Sequence, residues 1–342
     1  MIRVGIIGYG LAGAVFHAPL VDSVDGLTVA AIVTSDAERS RRAAEAYPDA
    51  RVVATPDELW PLVDAVVVAS PNRFHVPLGL AAVERDLPVV VDKPLAPSLN
   101  EAQRLVEAAE GSDVPLTVFQ NRRWDGAFLT VRRLLPRVGT VRRFESRYDR
   151  WRPVAEGGWR QRGDPQEGGG LLLDLGSHLI DQALVLLGPA RRVYAELDRR
   201  REGIEVDDDS FVAIEHDDGA RSHLWMSAVA PLPGRGMRVS GAEGGIEISD
   251  VDPQEDQLAD GLRPGDPGYG VSPGASAVVA AGDKEEREPL DAGAYQDFYA
   301  GFRDAVAAGG PSPVEPRDAL AALRVIEAAR ASAADGTVVP VA

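Results

Sequence analysis

The 342-residue chain contains no cysteine, so disulfides and thiolate metal sites are excluded. Nothing in it points to an oxidising compartment. Lysine is nearly absent too: Lys93 and Lys284 are the only two, and arginine carries the rest of the positive charge. That charge is outweighed, 36 basic side chains against 53 acidic, for a formal net of −17. A surface of that sign repels phosphate backbones and anionic bilayers, which disfavours nucleic acid and membrane as partners. No run reaches the ~20 apolar residues of a membrane helix. The N-terminal apolar run breaks at Gly8, with no charged n-region and no cleavage site. A cytoplasmic location is expected. Hydrophobic residues make up 45% and charged residues 26%, a balance that suits a soluble globular chain long enough for two cores.

Residues 1–120 alternate strand and helix patterns. Strands are expected at Ile2–Gly8, Leu27–Val33, Arg51–Ala54, Asp64–Ala69, Pro88–Val91 and Pro115–Phe119. Most are valine- and isoleucine-rich without polar alternation, as in strands buried on both faces of a parallel sheet. Helices are expected at Asp36–Tyr47, Val76–Arg85 and Asn100–Glu110, the last with Ser98 as its cap and Glu101 completing a capping box. The fold class is therefore α/β, with a doubly wound parallel sheet first. From 121 to 342 the texture changes. A helix (Phe128–Leu135), a long strand (Thr140–Trp151) and a leucine-rich helix (Leu171–Leu187) precede strands at Arg191–Leu197, Ser210–His216, Arg221–Ala228, Met237–Ser240 and Gly245–Ile248. This reads as an α+β domain on a large, mostly antiparallel open sheet. Asp250–Arg287, rich in Gly, Pro and Asp, is expected to be loops. Two helices, Ala294–Ala308 and Pro316–Ala334, are expected to pack back on the first domain.

Three glycines spaced G-x-G-x-x-G, Gly8, Gly10 and Gly13, follow the first strand and open a helical pattern. In that setting the spacing points to a dinucleotide. Gly8 permits the tight turn, Gly10 lets the backbone approach a pyrophosphate, and Gly13 lets helix and strand pack closely. Tyr9, Leu11 and Ala12 join the expected contacts, with the phosphates at the helix N-terminus. An acidic residue at the tip of the second strand would bind the ribose 2′-hydroxyl of NAD. Here Val33 is followed by Thr34 and Ser35, with Arg39 one turn on, a set that suits the 2′-phosphate of NADP. Asp36 favours NAD if it points at the ribose, so NADP is expected and NAD stays open. His17 is expected near the exposed end of the first helix, either as a surface or interdomain histidine or on the substrate side.

Three further stretches carry chemistry. VVVDKPLA (89–96) delivers Asp92 and Lys93 to the carboxyl edge of a strand, where open α/β sheets bind ligands. A lysine there can donate to a substrate oxygen and stabilise alkoxide charge, and Pro94 restricts its backbone. SPNRFHVPL (70–78) places Ser70, Pro71 and Asn72 beside the nicotinamide half of a cofactor; His75 either joins them or simply opens the next helix. EGGGLLLDLGSHLIDQALVLLG (167–188) sets Asp174 and His178 four apart on one helix face, with Asp181 on the same side. The pair suits proton transfer, and a helix–helix hydrogen-bond pair fits the spacing equally. No third ligand stands at a recognisable spacing, so no metal is expected. Arg122, Arg123 and Trp124 follow the last strand of the first domain and are expected to line the substrate cleft, with Asn121, Tyr148, Arg150 and Arg152 as weaker candidates. Interdomain ion pairs suit the arginines equally.

Together these stretches resemble the Gfo/Idh/MocA oxidoreductases (glucose-fructose oxidoreductase, inositol dehydrogenase, rhizopine catabolism) over essentially the whole chain. The resemblance implies a catalytic lysine at Lys93, in the place of an E-K-P motif. Asp92 stands where the family has glutamate, which keeps the charge and shortens its reach. The family's G-G-G-x-x-x-D-x-G-x-H pattern matches Gly168 to His178, and Trp159 and Arg160 match positions that contact the cofactor in some members. GYGLAGAVFHAPL, FQNRRWDGAF and DRWRP are similar to a narrower group that includes NADP-dependent scyllo-inositol dehydrogenases; F-H-x-P-L is its hallmark, with no role implied for His17. The resemblance implies a Rossmann domain, an α/β domain whose open sheet makes oligomer contacts, and hence a homodimer or higher homo-oligomer. The expected activity is hydride transfer between a nicotinamide cofactor and a secondary alcohol or ketone of a cyclic polyol or sugar. His178 would act as base, Asp174 as its orienter and Lys93 as the holder of the substrate oxygen. Another sugar, such as an aldose or 1,5-anhydrofructose, and a non-catalytic dinucleotide sensor remain open readings.

Overall fold

The computed structural model describes residues 1–155, 163 and 168–341. They form two compact units. The first joins Met1–Asn121 to Pro253–Gly270 and Ala294–Ala319; the second joins Arg122–Asp252 to Val271–Gly293 and Leu320–Ala342.

The first unit is built on six strands: β1 (Ile2–Ile7), β2 (Leu27–Val33), β3 (Arg51–Val53), β4 (Ala65–Val68), β5 (Val89–Asp92) and β6 (Leu116–Phe119). All pair in parallel in the order β3-β2-β1-β4-β5-β6. The β4 residues AVVV are completely buried, the two-faced burial that β-branched runs without polar alternation require. Ile7 lies opposite both Val33 and Val68, so β1, β2 and β4 end level with one another. The connection reverses direction between β1 and β4, which opens a crevice at their carboxyl ends.

Helices Ala37–Ala46, His75–Val83 and Leu99–Gly111 connect these strands. Ser98 caps the last of them: its Oγ accepts the Glu101 N–H at 3.4 Å and donates to Glu101 Oε2 at 3.1 Å, so the expected cap forms with Glu101 bonded to the serine hydroxyl. Ser98→Ala should lower stability by about 1 kcal/mol, read as an earlier urea midpoint at constant m; an unchanged midpoint would show that the cap carries no stability. The helix Gln296–Ala308 buries Phe298, Tyr299 and Phe302, and the first two pack against Phe119 at the end of β6. Phe298 meets Phe119 edge-on at 5.0 Å, a favoured aromatic geometry.

The second unit is built on a nine-stranded sheet. Its strands are β7 (Val141–Trp151), β8 (Ala190–Asp198), β9 (Asp209–His216), β10 (Arg221–Ser227), β11 (Val229–Gly241), β12 (Gly245–Ile248), β13 (Ser276–Ala281), β14 (Lys284–Pro289) and β15 (Val339–Pro340). The order is β14-β13-β12-β11-β7-β10-β9-β8-β15, with β7–β10 parallel and the other pairs antiparallel. Along β9 every second residue is buried, the period-2 signature of a sheet with one packed face. The helix Gly176–Leu187 packs on that sheet, and a Cβ at Gly176 would stand 2.9 Å from Met226 Sδ.

Three expectations are corrected. Asp250–Arg287 is not all loop: it holds the helix Gln254–Ala259 and strands β13 and β14. The strand expected at Met237–Ser240 is the end of the much longer β11, whose pairing with β7 shifts register between Val229 and Gly234. The leucine-rich segment is two helices, Leu171–Asp174 and Gly176–Leu187, broken at Leu175. Among the described residues, no helix is long and apolar enough to cross a membrane.

Candidate functional site

In the first unit the glycine loop leaves β1 at the crevice. Gly8 has φ +105°, and a Cβ there would lie 2.5 Å from the Ala69 carbonyl oxygen. A Cβ at Gly13 would lie 2.0 Å from the Gly8 carbonyl oxygen, so the following helix can approach only through a bare Cα. Gly10 differs: within 4 Å its Cβ would meet only Arg39 Nη1, at 4.0 Å. The middle glycine therefore offers open backbone beneath a guanidinium. Leu11 projects beside it, 62% exposed, while Tyr9 is buried.

The tip of β2 divides its polar groups between two tasks. Asp36 caps the helix Ala37–Ala46, its Oδ1 accepting the Arg39 N–H at 2.8 Å. Thr34 is buried, with its Oγ1 3.4 Å from the Asp36 nitrogen, and Ser35 is exposed. Arg41 is held by Glu38 and Glu45 at 2.6 and 2.7 Å. Among the described residues, the Arg39 guanidinium makes no ion pair. Arg42 is a cation that the sequence reading passed over. Burial pushes the Tyr9 hydroxyl upward, and the charges of Arg42 and Arg263 oppose it. The i, i+3 spacing of Arg39 and Arg42 was the available signal.

The loops after β4 and β5 are tied together. His75 opens its helix as expected and is also buried: Nδ1 stands 2.7 Å from the Pro94 carbonyl oxygen and Nε2 2.9 Å from that of Ser70. Burial holds its pKa below the ordinary imidazole value, with Asp92 and the two carbonyls opposing. Ser70 Oγ is buried with no hydrogen bond among the described residues. Pro71 precedes a 3₁₀ turn, Asn72–Phe74, whose Asn72 is buried. Asp92 Oδ1 accepts the Lys93 N–H at 2.8 Å. Burial pushes the Asp92 carboxyl up, but His17, His75 and Lys93 together hold it below its usual range. One parallel-sheet edge thus presents Gly10, Arg39, Ser70, Asn72 and Lys93. A bare glycine cradle, an unpaired guanidinium and an unsatisfied buried hydroxyl fit a nicotinamide dinucleotide.

His17 is not at an exposed helix end. Residues Ala12–His17 form a π-helical turn, the wider coil often found near functional sites, and His17 is fully buried at its close.

In the second unit, Asp174 ends the one-turn helix Leu171–Asp174 and His178 lies in the first turn of the next, 4% exposed. Asp174 lines a cleft with Arg150, Arg152, Arg201 and Asp207. Asp207 is a second residue that the sequence reading missed. Its Oδ2 accepts the Leu172 N–H at 2.7 Å and the Ser210 hydroxyl at 2.8 Å, so it anchors the start of the Asp174 helix from 35 residues away. Asp181 is committed elsewhere: Arg123 grips it with two hydrogen bonds of 2.8 and 2.6 Å, both side chains being nearly buried. Arg122 is buried, pairs with Asp125 at 3.4 Å and lies 5.3 Å from the Tyr148 ring centroid. Arg150 and Arg235 stand over the same ring at 4.6 and 3.8 Å. Trp124 closes the 3₁₀ turn that carries Arg122 and Arg123. Trp159 and Arg160 lie outside the described residues. Among the described residues, no group of three or more His, Cys, Asp or Glu is placed to hold a metal ion.

The Gfo/Idh/MocA model described as the NAD-binding Rossmann fold of an oxidoreductase family matches residues 2–120. The companion model for the family's C-terminal alpha/beta domain matches 134–341. The chain is 37% identical to the oxidoreductase YdgJ of Escherichia coli strain K12 over 333 residues, covering 95% of this chain and 94% of that protein. It is 32% identical to the scyllo-inositol 2-dehydrogenase (NADP(+)) IolW of Bacillus subtilis strain 168 over 340 residues, covering 97% and 93%. The solved oxidoreductase structure yvaA from Bacillus subtilis superimposes with a TM-score of 0.93 at 30% identity, covering 100% of this chain and 98% of that one. With family models matched over residues 2–120 and 134–341 and a glycine cradle at the edge of the Rossmann sheet, the chain belongs to the Gfo/Idh/MocA family of oxidoreductases.

Proposed function

We propose that this protein transfers hydride between NADP(H) and a secondary alcohol or ketone of a cyclic polyol or sugar, with an inositol as the leading substrate. The observation that carries the reading is the sheet edge that holds the glycine cradle together with Asp92 and Lys93 at the end of β5. NADP is favoured because Arg39 stands over Gly10 and Ser35 is exposed at the tip of β2, while one oxygen of the Asp36 carboxylate is taken up by the helix cap. The name of the 32%-identical relative supports both the cofactor and the inositol.

When bound, the nicotinamide supplies the two-electron acceptor or donor for the carbinol carbon. The chain's own residues do the rest. The open backbone at Gly10, in the turn shaped by Gly8 and Gly13, would receive the pyrophosphate, and Ser70 and Asn72 would stand beside the nicotinamide. Lys93 donates to the substrate oxygen and stabilises its charge as the carbon–hydrogen bond breaks. His178 takes the hydroxyl proton in oxidation and returns it in reduction, and Asp174 orients the imidazole. Arg122 and Tyr148 are the polar groups of the second unit assigned to the substrate hydroxyls. We also expect a homo-oligomer. On the less buried face of the second sheet Phe211 and Trp225 lie 5.2 Å apart with Arg147 over Trp225, an aromatic surface suited to a second copy.

The test follows absorbance of the reduced cofactor, with NADP and NAD in separate reactions, against scyllo-inositol, myo-inositol, glucose and xylose, with the matching ketones in reverse. The same preparation is sized by light scattering. NADP-linked turnover of an inositol by an oligomer is the expected result. Turnover of a non-inositol sugar alone moves the substrate assignment, and cofactor binding without any turnover favours a dinucleotide sensor.

A further inference from the structure

The F-H-x-P-L segment has no part in the chemistry described so far, yet its histidine is among the most enclosed polar groups of the first unit. His17 is 0% exposed. Its ring packs on Phe119 with centroids 4.4 Å apart. Nδ1 lies 2.5 Å from the hydroxyl of Tyr299, also fully buried, on the helix Gln296–Ala308. Nε2 has no hydrogen bond among the described residues. Asp92 Oδ1 stands 3.7 Å in front of it, the same oxygen that accepts the Lys93 N–H at 2.8 Å. Tyr299, His17, Asp92 and Lys93 therefore form one line, from the interior to the edge of the sheet where Lys93 is presented.

The proton positions along this line follow from the chemistry of its members. A carboxylate only accepts hydrogen bonds. A bare nitrogen lone pair aimed at it inside the protein would be repelled, so the proton belongs on Nε2. Nδ1 faces the Tyr299 hydroxyl, which can donate to it. Burial and the neighbouring Asp92 charge keep that phenol protonated.

We propose that His17 is a positioning residue for Lys93: the Tyr299 hydroxyl fixes the His17 tautomer, and the Nε2–H, facing Oδ1 across 3.7 Å, draws the Asp92 carboxylate electrostatically into the place where it accepts the Lys93 backbone N–H. The arrangement accounts for the aspartate at this position. Its short side chain turns inward to His17 and to the next amide. The proposal rests on the reading of Lys93 as the group that holds the substrate oxygen.

Two measurements test it, and the first needs no substrate. A long-range proton–nitrogen correlation spectrum of the full chain with ¹⁵N-labelled histidine, assigned by loss of signal in His17→Phe, should show Nε2 of His17 protonated. That resonance should move in Asp92→Asn. An unprotonated Nε2, or no response to Asp92→Asn, overturns the relay. The second measurement is steady-state kinetics with whichever substrate turns over. His17→Phe keeps the ring on Phe119 and removes both nitrogens. It should lower kcat by about 10- to 100-fold, with the Kd for NADPH and the substrate KM within about threefold. His17→Gln, whose amide nitrogen reaches the Nε2 position, should recover most of that loss. If His17→Phe is as active as His17→Gln, the ring serves packing alone and the proposal fails. If the unsubstituted protein turns over nothing, the functional reading falls while the nitrogen spectrum still decides whether the relay exists.

Discussion

Lys93→Met is expected to lower kcat by about 10²- to 10³-fold while leaving NADPH affinity within about twofold. Methionine matches the length and apolar stem of lysine and removes only the ammonium. The Asp92 carboxylate still accepts the backbone N–H of residue 93, which methionine retains. A donor that matters most as charge develops on the substrate oxygen should depress kcat and kcat/KM in parallel, whereas one that merely binds substrate would raise KM alone. Fluorescence titration of NADPH reports the affinity, and absorbance of the reduced cofactor reports turnover. Substantial turnover in Lys93→Met would remove this residue from the mechanism.

The Ser35→Ala, Arg39→Ala double substitution is expected to weaken NADP by on the order of 10- to 100-fold and NAD by no more than about threefold. Charge-assisted hydrogen bonds contribute about 1.5–3 kcal/mol each, and Arg39 is the cation poised above Gly10. Asp36 should be unaffected, because it accepts the backbone N–H of residue 39, which alanine retains. Titrating both dinucleotides against the variant separates the two effects. An unchanged preference would mean that the 2′-phosphate is recognised elsewhere; Arg42, one turn along and electrostatically coupled to Tyr9, is then the first residue to examine.

What could be read from the sequence follows the physics of each element. Most strands of the first unit stood out because burial on both faces demands uninterrupted apolar residues, as in AVVV of β4 and VVVD of β5; β3 is a short, partly exposed edge strand. Strand β14 did not, because KEEREP is exposed along almost its whole length and shows no apolar alternation. The turn at Gly8 and the close packing at Gly13 were legible because both rest on local backbone geometry. The state of His17 was not: its burial depends on a π-helical turn and on Tyr299, 282 residues later. Pairing was hidden for the same reason. Asp181 shares the helix of His178, but its arginine lies 58 residues upstream. Asp207 braces the Asp174 helix from a segment with no motif at all.

The first unit is completed by residues far downstream of its sheet, Ala294–Ala319. Thr117 on β6 donates its hydroxyl proton to the Val314 carbonyl oxygen at 2.8 Å, and Glu110 receives Arg317. The aromatic cover over Phe119 and His17 comes from Phe298 and Tyr299. On the ribosome, at about 5–20 residues per second, the glycine cradle and its six strands emerge many seconds before the helix that closes them. Until then, an apolar flank of the nascent Rossmann sheet has no cover. Loop closure on that scale slows folding, and the waiting half-domain is a natural client for a chaperone. Grafting residues 1–120 of this chain onto another oxidoreductase would therefore transplant a cradle without its keystone.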